Sequence, residues 1–176
     1  MTEQLSGRWP AKHSHFYPLL IILVMAATTV AQENRLNGQD SVEEFALALV
    51  AAGSQERSEL LAQRKELITV DLRKQLVSRG NMLLIGGRYS PALDVYILAQ
   101  NVSLRIGDRE GIAATGLNIG TVYYFQGNYA LAAEQYQKAR EVFTEVGDKT
   151  EAAKSIFGLA MVYKEQRNQT WYYLSR

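Results

Sequence analysis

The chain has 176 residues, 47% of them hydrophobic and 21% charged, with a net charge of +1 and no cysteine. That profile is long and apolar enough for one globular domain with a real core. Its near-neutral balance lacks the electrostatic footprint of a nucleic-acid binder, and without thiols it holds neither a Cys-His nucleophile nor a thiolate zinc site.

In chain order, the first 31 residues read differently from the rest. Arg8 and Lys12 precede the apolar run "LLIILVMAATTVA", Leu19 to Ala31. Thirteen residues rise only about 20 Å as a helix, short of a hydrocarbon core of roughly 30 Å. A positive flank, a short apolar stretch and small residues at Thr29 and Ala31 predict a secretory signal peptide over 1–31. The alternative is an uncleaved membrane anchor that includes Phe16 to Pro18, which would make this segment the chain's one membrane contact. Both histidines, His13 and His15, fall in the leader. Its removal leaves no imidazole for a Ser-His-Asp triad or a metal site, so no catalytic residue, cofactor or metal is expected. The product is expected to be exported, periplasmic or extracellular.

Residues 32–40 ("QENRLNGQD" ending at Asp40) are a polar linker. Over 41–68, "SVEEFALALVAA" and "SQERSELLAQRKELI" predict two amphipathic helices. Ser41 with Glu44 forms a capping box and Ser54 caps the second helix. They lack the pattern that follows and are read as an N-terminal cap for it.

From residue 69 the chain repeats itself every forty positions, over 69–108, 109–148 and 149–176. Gly80, Gly120 and Ala160 correspond, as do Leu83, Tyr123 and Tyr163; Ala92, Tyr96 and Ala99 recur as Ala132, Tyr136 and Ala139. A period of this length signals a stack of identical supersecondary units. Each window holds two helical patterns. Ile112, Leu117, Ile119, Gly120 and Tyr123 form one apolar stripe, and Ala132, Tyr136 and Ala139 form the next at i, i+4 and i+7. A mid-helix glycine costs about 1 kcal/mol relative to alanine, so Gly120 implies close approach of a neighbour, with Tyr96, Tyr123 and Tyr136 filling the wedge.

Turn signals frame each helix. Gly127-Asn128 breaks the chain within a window, and Ser90-Pro91 supplies an N-cap followed by a first-turn proline. Gly107 and Gly147 each stop a helix in the left-handed conformation, and Asp108 and Asp148 cap the next. The third window departs from this. Arg167 stands at the place of Gly87 and Gly127, and Tyr172 at that of Ala92 and Ala132. A helix over 149–166 is expected there, with Thr170 to Arg176 docking or fraying. Its stripe of Ala153, Ile156, Phe157, Ala160 and Tyr163 expects a second helix as cover, and Trp171, Tyr172 and Tyr173, which cannot all face inward on one helix, predict self-association through this end. The sequons at Asn101 and Asn168 carry no assigned function.

Gly120, Tyr123, Ala132, Tyr136 and Ala139 fall at the spacing of the tetratricopeptide repeat signature, and "NIGTVYYFQGNYALAAEQYQKA" resembles it at almost every diagnostic place. The tryptophan often found early in that motif is Gly116 here, so neighbours must fill its wedge. The resemblance implies an all-α fold, with antiparallel helix pairs stacked as a right-handed α-solenoid. It also implies a scaffold that receives a protein or peptide partner in its concave groove. Carried over position by position, the groove is Lys74, Ser78 and Asn81 in the first repeat. In the second it is Ala114, Asn118, Thr121 and Phe125, and in the third Lys154, Gly158 and Met161. Asn118 is the leading candidate, because its amide both donates to and accepts from a peptide backbone. The alternatives are an N-terminal regulatory or targeting part of a larger exported enzyme, such as a caspase-like peptidase, and a self-associating structural repeat.

Overall fold

The structure, a computed structural model, describes residues 42–174, with side-chain surroundings through Asn168. The leader, the linker and the Ser41 capping box lie outside the described residues, and none of the described helices is long and apolar enough to cross a membrane.

Seven α-helices and no strand occur among the described residues. They are α1 (Val42–Ala51), α2 (Ser54–Gln63), α3 (Val70–Ile85), α4 (Tyr89–Ile106), α5 (Arg109–Phe125), α6 (Tyr129–Val146) and α7 (Lys149–Leu174). A 3-10 turn, Lys65–Leu67, links α2 to α3. Each helix from α3 onward packs on the next in sequence, and α5 also touches both α3 and α7. The result is the stacked helix-pair architecture that the forty-residue period implies.

Four glycines set the turns. Gly87, Gly107, Gly127 and Gly147 all have φ between 69° and 79°, a left-handed conformation that costs other residues 1–2 kcal/mol or so. They stand at a constant interval along the chain, and the next place in that series is Arg167. There the helix does not stop: α7 runs on to Leu174. The expected break after residue 166 is therefore corrected, because a helix lacking a left-handed stop keeps making i→i−4 hydrogen bonds.

The caps hold in part. The Asp108 carboxylate accepts from the Gly111 N–H at 2.7 Å, and that of Asp148 accepts from the Thr150 and Glu151 N–H groups. Ser54 is the first residue of α2 rather than its cap, and Gly53 takes the cap position without a side-chain bond. Likewise α4 begins at Tyr89 behind Arg88. Pro91 thus sits within the first turn, where its missing N–H would have had no partner anyway.

The core repeats as the sequence does. Ala92 and Tyr96 of α4 bury against Ile119 and Val122 of α5. Forty positions later Ala132 and Tyr136 of α6 bury against Leu159 and Val162 of α7. A Cβ on Gly80 would lie 2.5 Å from the Tyr96 ring, and one on Gly120 would lie 2.9 Å from that of Tyr136. These glycines admit the tyrosines, as the wedge argument requires. Tyr123 is only half-buried. The space left by Gly116 is approached by the side-chain amides of Gln135 and Gln100. At the N-terminal end Phe45, Leu49 and Leu61 join Leu72, Leu76, Val95 and Val102 in one cluster. There Arg57 ties the first two helices by donating from Nε to the Leu49 carbonyl at 2.7 Å.

Candidate partner-binding groove

The outward faces of α5 and α7 line a cleft of about 760 Å³. Leu117, Thr121, Tyr124 and Phe125 line it from α5, at the i, i+4, i+7 and i+8 spacing of one helical face. From α7 come Lys149, Thr150, Ala153, Lys154, Phe157 and Met161, with Gly158 and Tyr136 at the floor. Phe125 is 52% exposed and Phe157 67% exposed, a large apolar area to leave in water at about 25 cal/mol per Å².

The floor is rigid. The Tyr136 hydroxyl donates to Thr121 Oγ1 at 3.2 Å, which itself donates to the Leu117 carbonyl at 3.1 Å. Gly158 lets α7 approach the other face of that ring, since a Cβ there would lie 2.7 Å from it. Burial raises the Tyr136 phenol above its ordinary range, so the ring stays neutral and keeps donating.

An aromatic chain forms one rim. Tyr89 stacks on Phe125 with centroids 5.6 Å apart and ring planes 1° from parallel. Phe125 meets Tyr124 edge-on, and Tyr124 meets Tyr129 at 5.7 Å. Such contacts add about 0.5–1.5 kcal/mol each beyond area burial, and here they hold Phe125 in place at the mouth.

Of the residues carried over from the family signature, Thr121, Phe125, Lys154 and Met161 converge on this cleft together with Gly158. Lys154 is engaged, donating to the Glu151 carboxylate. Lys74, Ser78 and Asn81 do not line it. Lys74 is exposed beside Asp71 at 3.7 Å, Ser78 is exposed, and Asn81 Oδ1 accepts from the Tyr96 hydroxyl at 2.6 Å. Asn81 and Thr121 thus do the same work one repeat apart: each anchors a wedge tyrosine. Asn118 and Ala114 are half-buried on α5 and also lie outside the lining.

The sequence reading missed Leu117, Tyr124, Lys149 and Thr150 as lining residues, and it assigned Ala153 and Phe157 only to a stripe awaiting cover. The signal was available as the helical-face spacing on α5. It was obscured on α7 because the groove stripe and the outer stripe adjoin there. Among the described residues no three His, Cys, Asp or Glu side chains cluster to hold a metal. The lining offers apolar walls, the hydroxyls of Thr121, Tyr124, Tyr136 and Thr150 and two ammonium groups, a surface suited to holding a segment by shape and burial.

None of the curated proteins and none of the solved structures matches the chain. A family model does, over residues 76–145 and again over 111–170, which together run from within α3 through α4, α5 and α6 to most of α7. Together with the wedge tyrosines, the left-handed glycines and the period of forty, this establishes that the chain belongs to the tetratricopeptide repeat family.

Proposed function

We propose that this chain is an exported scaffold whose cleft between α5 and α7 receives a peptide or an extended segment of a partner protein. Repeats of this family are protein–protein interaction modules. The single observation that carries the reading further is the cleft itself. Its 760 Å³ falls within the roughly 300–1,000 Å³ of formed binding pockets, and its walls expose two phenylalanines and a methionine beside few polar groups. Aromatic and thioether side chains of this kind supply the anchors that dominate peptide recognition. Lys149 and Lys154 at one wall favour a segment without positive charge at that end.

Export rests on the leader's charge and length pattern, and the scaffold role rests on the groove. Selection of a random peptide library on the intact chain tests the role. Bound sequences should carry bulky apolar residues and lose affinity about tenfold or more for the Phe157→Asp variant, since desolvated anchors are typically worth over 1.4 kcal/mol. Phe157 is exposed, so that substitution leaves the fold intact. Selected peptides that bind the variant equally would remove the cleft from the account.

A further inference from the structure

The walls of the cleft give an incoming chain little to hydrogen-bond with. Among the described residues that line it there is no asparagine, glutamine or carboxylate, and all of them lie on helices, so no strand edge is open to pairing. The hydroxyl hydrogens of Thr121 and Tyr136 are already committed, to the Leu117 carbonyl and to Thr121 Oγ1. From Lys149 to Met161 the α7 wall rises about 18 Å. An extended segment of that length is about five residues and carries roughly ten backbone N–H and C=O groups. Each of those is costly to bury against an apolar wall without a partner. A helix of the same length, about twelve residues, bonds its backbone to itself and leaves groups open only at its two ends.

The two ends of the cleft also differ in charge. Lys149 and Lys154 stand at the end where α7 begins, and the N-terminus of α7 adds the positive pole of its own dipole. Lys154 donates to Glu151, whereas Lys149 has no ion-pair partner among the described residues. At the other end, one turn past Met161 on the same face, stands Glu165. Its charge reaches the cleft wall: burial first and Glu165 second raise the Tyr124 phenol above its ordinary range. A helix carries the matching pattern, with orphan carbonyls and partial negative charge at its C-terminus and orphan N–H groups and partial positive charge at its N-terminus.

We propose, resting on the cleft's role as the partner-binding site, that the segment enters it as an amphipathic helix of about three turns, antiparallel to α7, and not in extended form. Its apolar face, at i, i+3, i+4 and i+7, meets Leu117, Phe125, Phe157 and Met161, and its polar face stays in water. Its last carbonyls accept from the ammonium groups of Lys149 and Lys154, and its first turn lies toward Glu165.

Two display libraries, each of peptides about twelve residues long and both selected on the full chain, test the conformation. One has a neutral, helix-forming background of alanine and glutamine, randomised at i, i+3, i+4 and i+7. The other randomises as many positions between alternating prolines, which hold the peptide extended. The helical library should yield binders that lose about tenfold or more in affinity for Phe157→Asp, and the proline library none. Polarity is read by disulfide trapping, since the chain has no cysteine. With Thr150→Cys, an exposed site at the lysine end, a selected helical peptide should crosslink through a cysteine at its C-terminus and not through one at its N-terminus. Phe157-dependent binders from the proline library, or trapping through the N-terminal cysteine, would overturn the proposal while leaving the cleft a binding site. So would a dimer of the chain that Phe157→Asp dissolves, since a second copy would then be the occupant. Absence of Phe157-dependent binders from both libraries would instead remove the cleft as a site, and the helix with it.

Discussion

Replacing Gly158 with alanine should destabilise the fold, although the same change at Gly116 should stabilise it. Both residues are buried in helices, where glycine to alanine alone is worth about 1 kcal/mol in favour of the helix. At Gly116 the new Cβ meets only Gln135 Oε1 at 3.4 Å and Gln100 Nε2 at 3.8 Å, the free ends of flexible side chains. At Gly158 it meets three ring atoms of Tyr136 at 2.7 to 2.8 Å. The ring would have to withdraw by roughly 0.7 Å to reach ordinary contact at 3.4 Å. It cannot do so freely, because Gly120 backs its other side and Thr121 holds its hydroxyl. Overpacking of this kind costs about 1–3 kcal/mol, leaving a net loss of up to about 2 kcal/mol after the propensity gain. For a unit of this size that lowers Tm by up to about 8 °C, while Gly116→Ala should raise it by about 3–4 °C. Thermal melts followed by circular dichroism read both. A Gly158→Ala protein melting at or above the wild type would refute the claim that Tyr136 is clamped between α5 and α7.

The two aspartate caps should differ in weight. Asp148→Ala removes a cap worth about 1 kcal/mol. Asp108→Ala also strands Arg73, whose Nε sits 2.9 Å from Asp108 Oδ2 in a largely buried pair too poorly aligned for a hydrogen bond, adding about 1–3 kcal/mol. Equal losses in urea titrations would deny that contact any role. Alkaline pH should weaken the fold in a defined window. Burial pushes Tyr96 up to about 12 from 10.0, so the unfolded chain ionises first and stability falls as pH rises between those values. Tyr96→Phe should flatten that part of the curve, and an unchanged slope would count against the buried phenol. For the leader, Edman sequencing of the exported protein should begin near Gln32; intact chain starting at Met1 in the membrane fraction would point to the anchor.

Much of this fold is legible in the sequence because the signals are local and repeated. Gly107-Asp108 and Gly147-Asp148 announce a left-handed stop and a cap from composition alone, and the Gly120–Tyr136 wedge follows from two residue sizes at a fixed spacing. The ends of α4 and α7 were less legible. Ser90-Pro91 looks like a helix start, yet the left-handed Gly87 already turns the chain, so α4 begins at Tyr89. Arg167 is a departure whose meaning depends on context: it could yield an irregular turn or none, and the helix runs through it. The groove was half visible. Thr121, Phe125, Lys154 and Met161 follow from repeat register, but register says nothing about which inter-repeat space is open. Asn81 shows why: as a groove residue it reads as free, while the structure commits its oxygen to the Tyr96 hydroxyl.

Site-specific photo-crosslinking tests the central claim most directly. The photoreactive benzoylphenylalanine is placed at Phe157 in the cleft, or at Leu104, an exposed residue outside the lining, and the chain is irradiated in its producing cells. The account predicts a discrete protein adduct from position 157 and none from 104. No adduct at 157, or the same adduct from both positions, would contradict the assignment of the cleft as the partner-binding site.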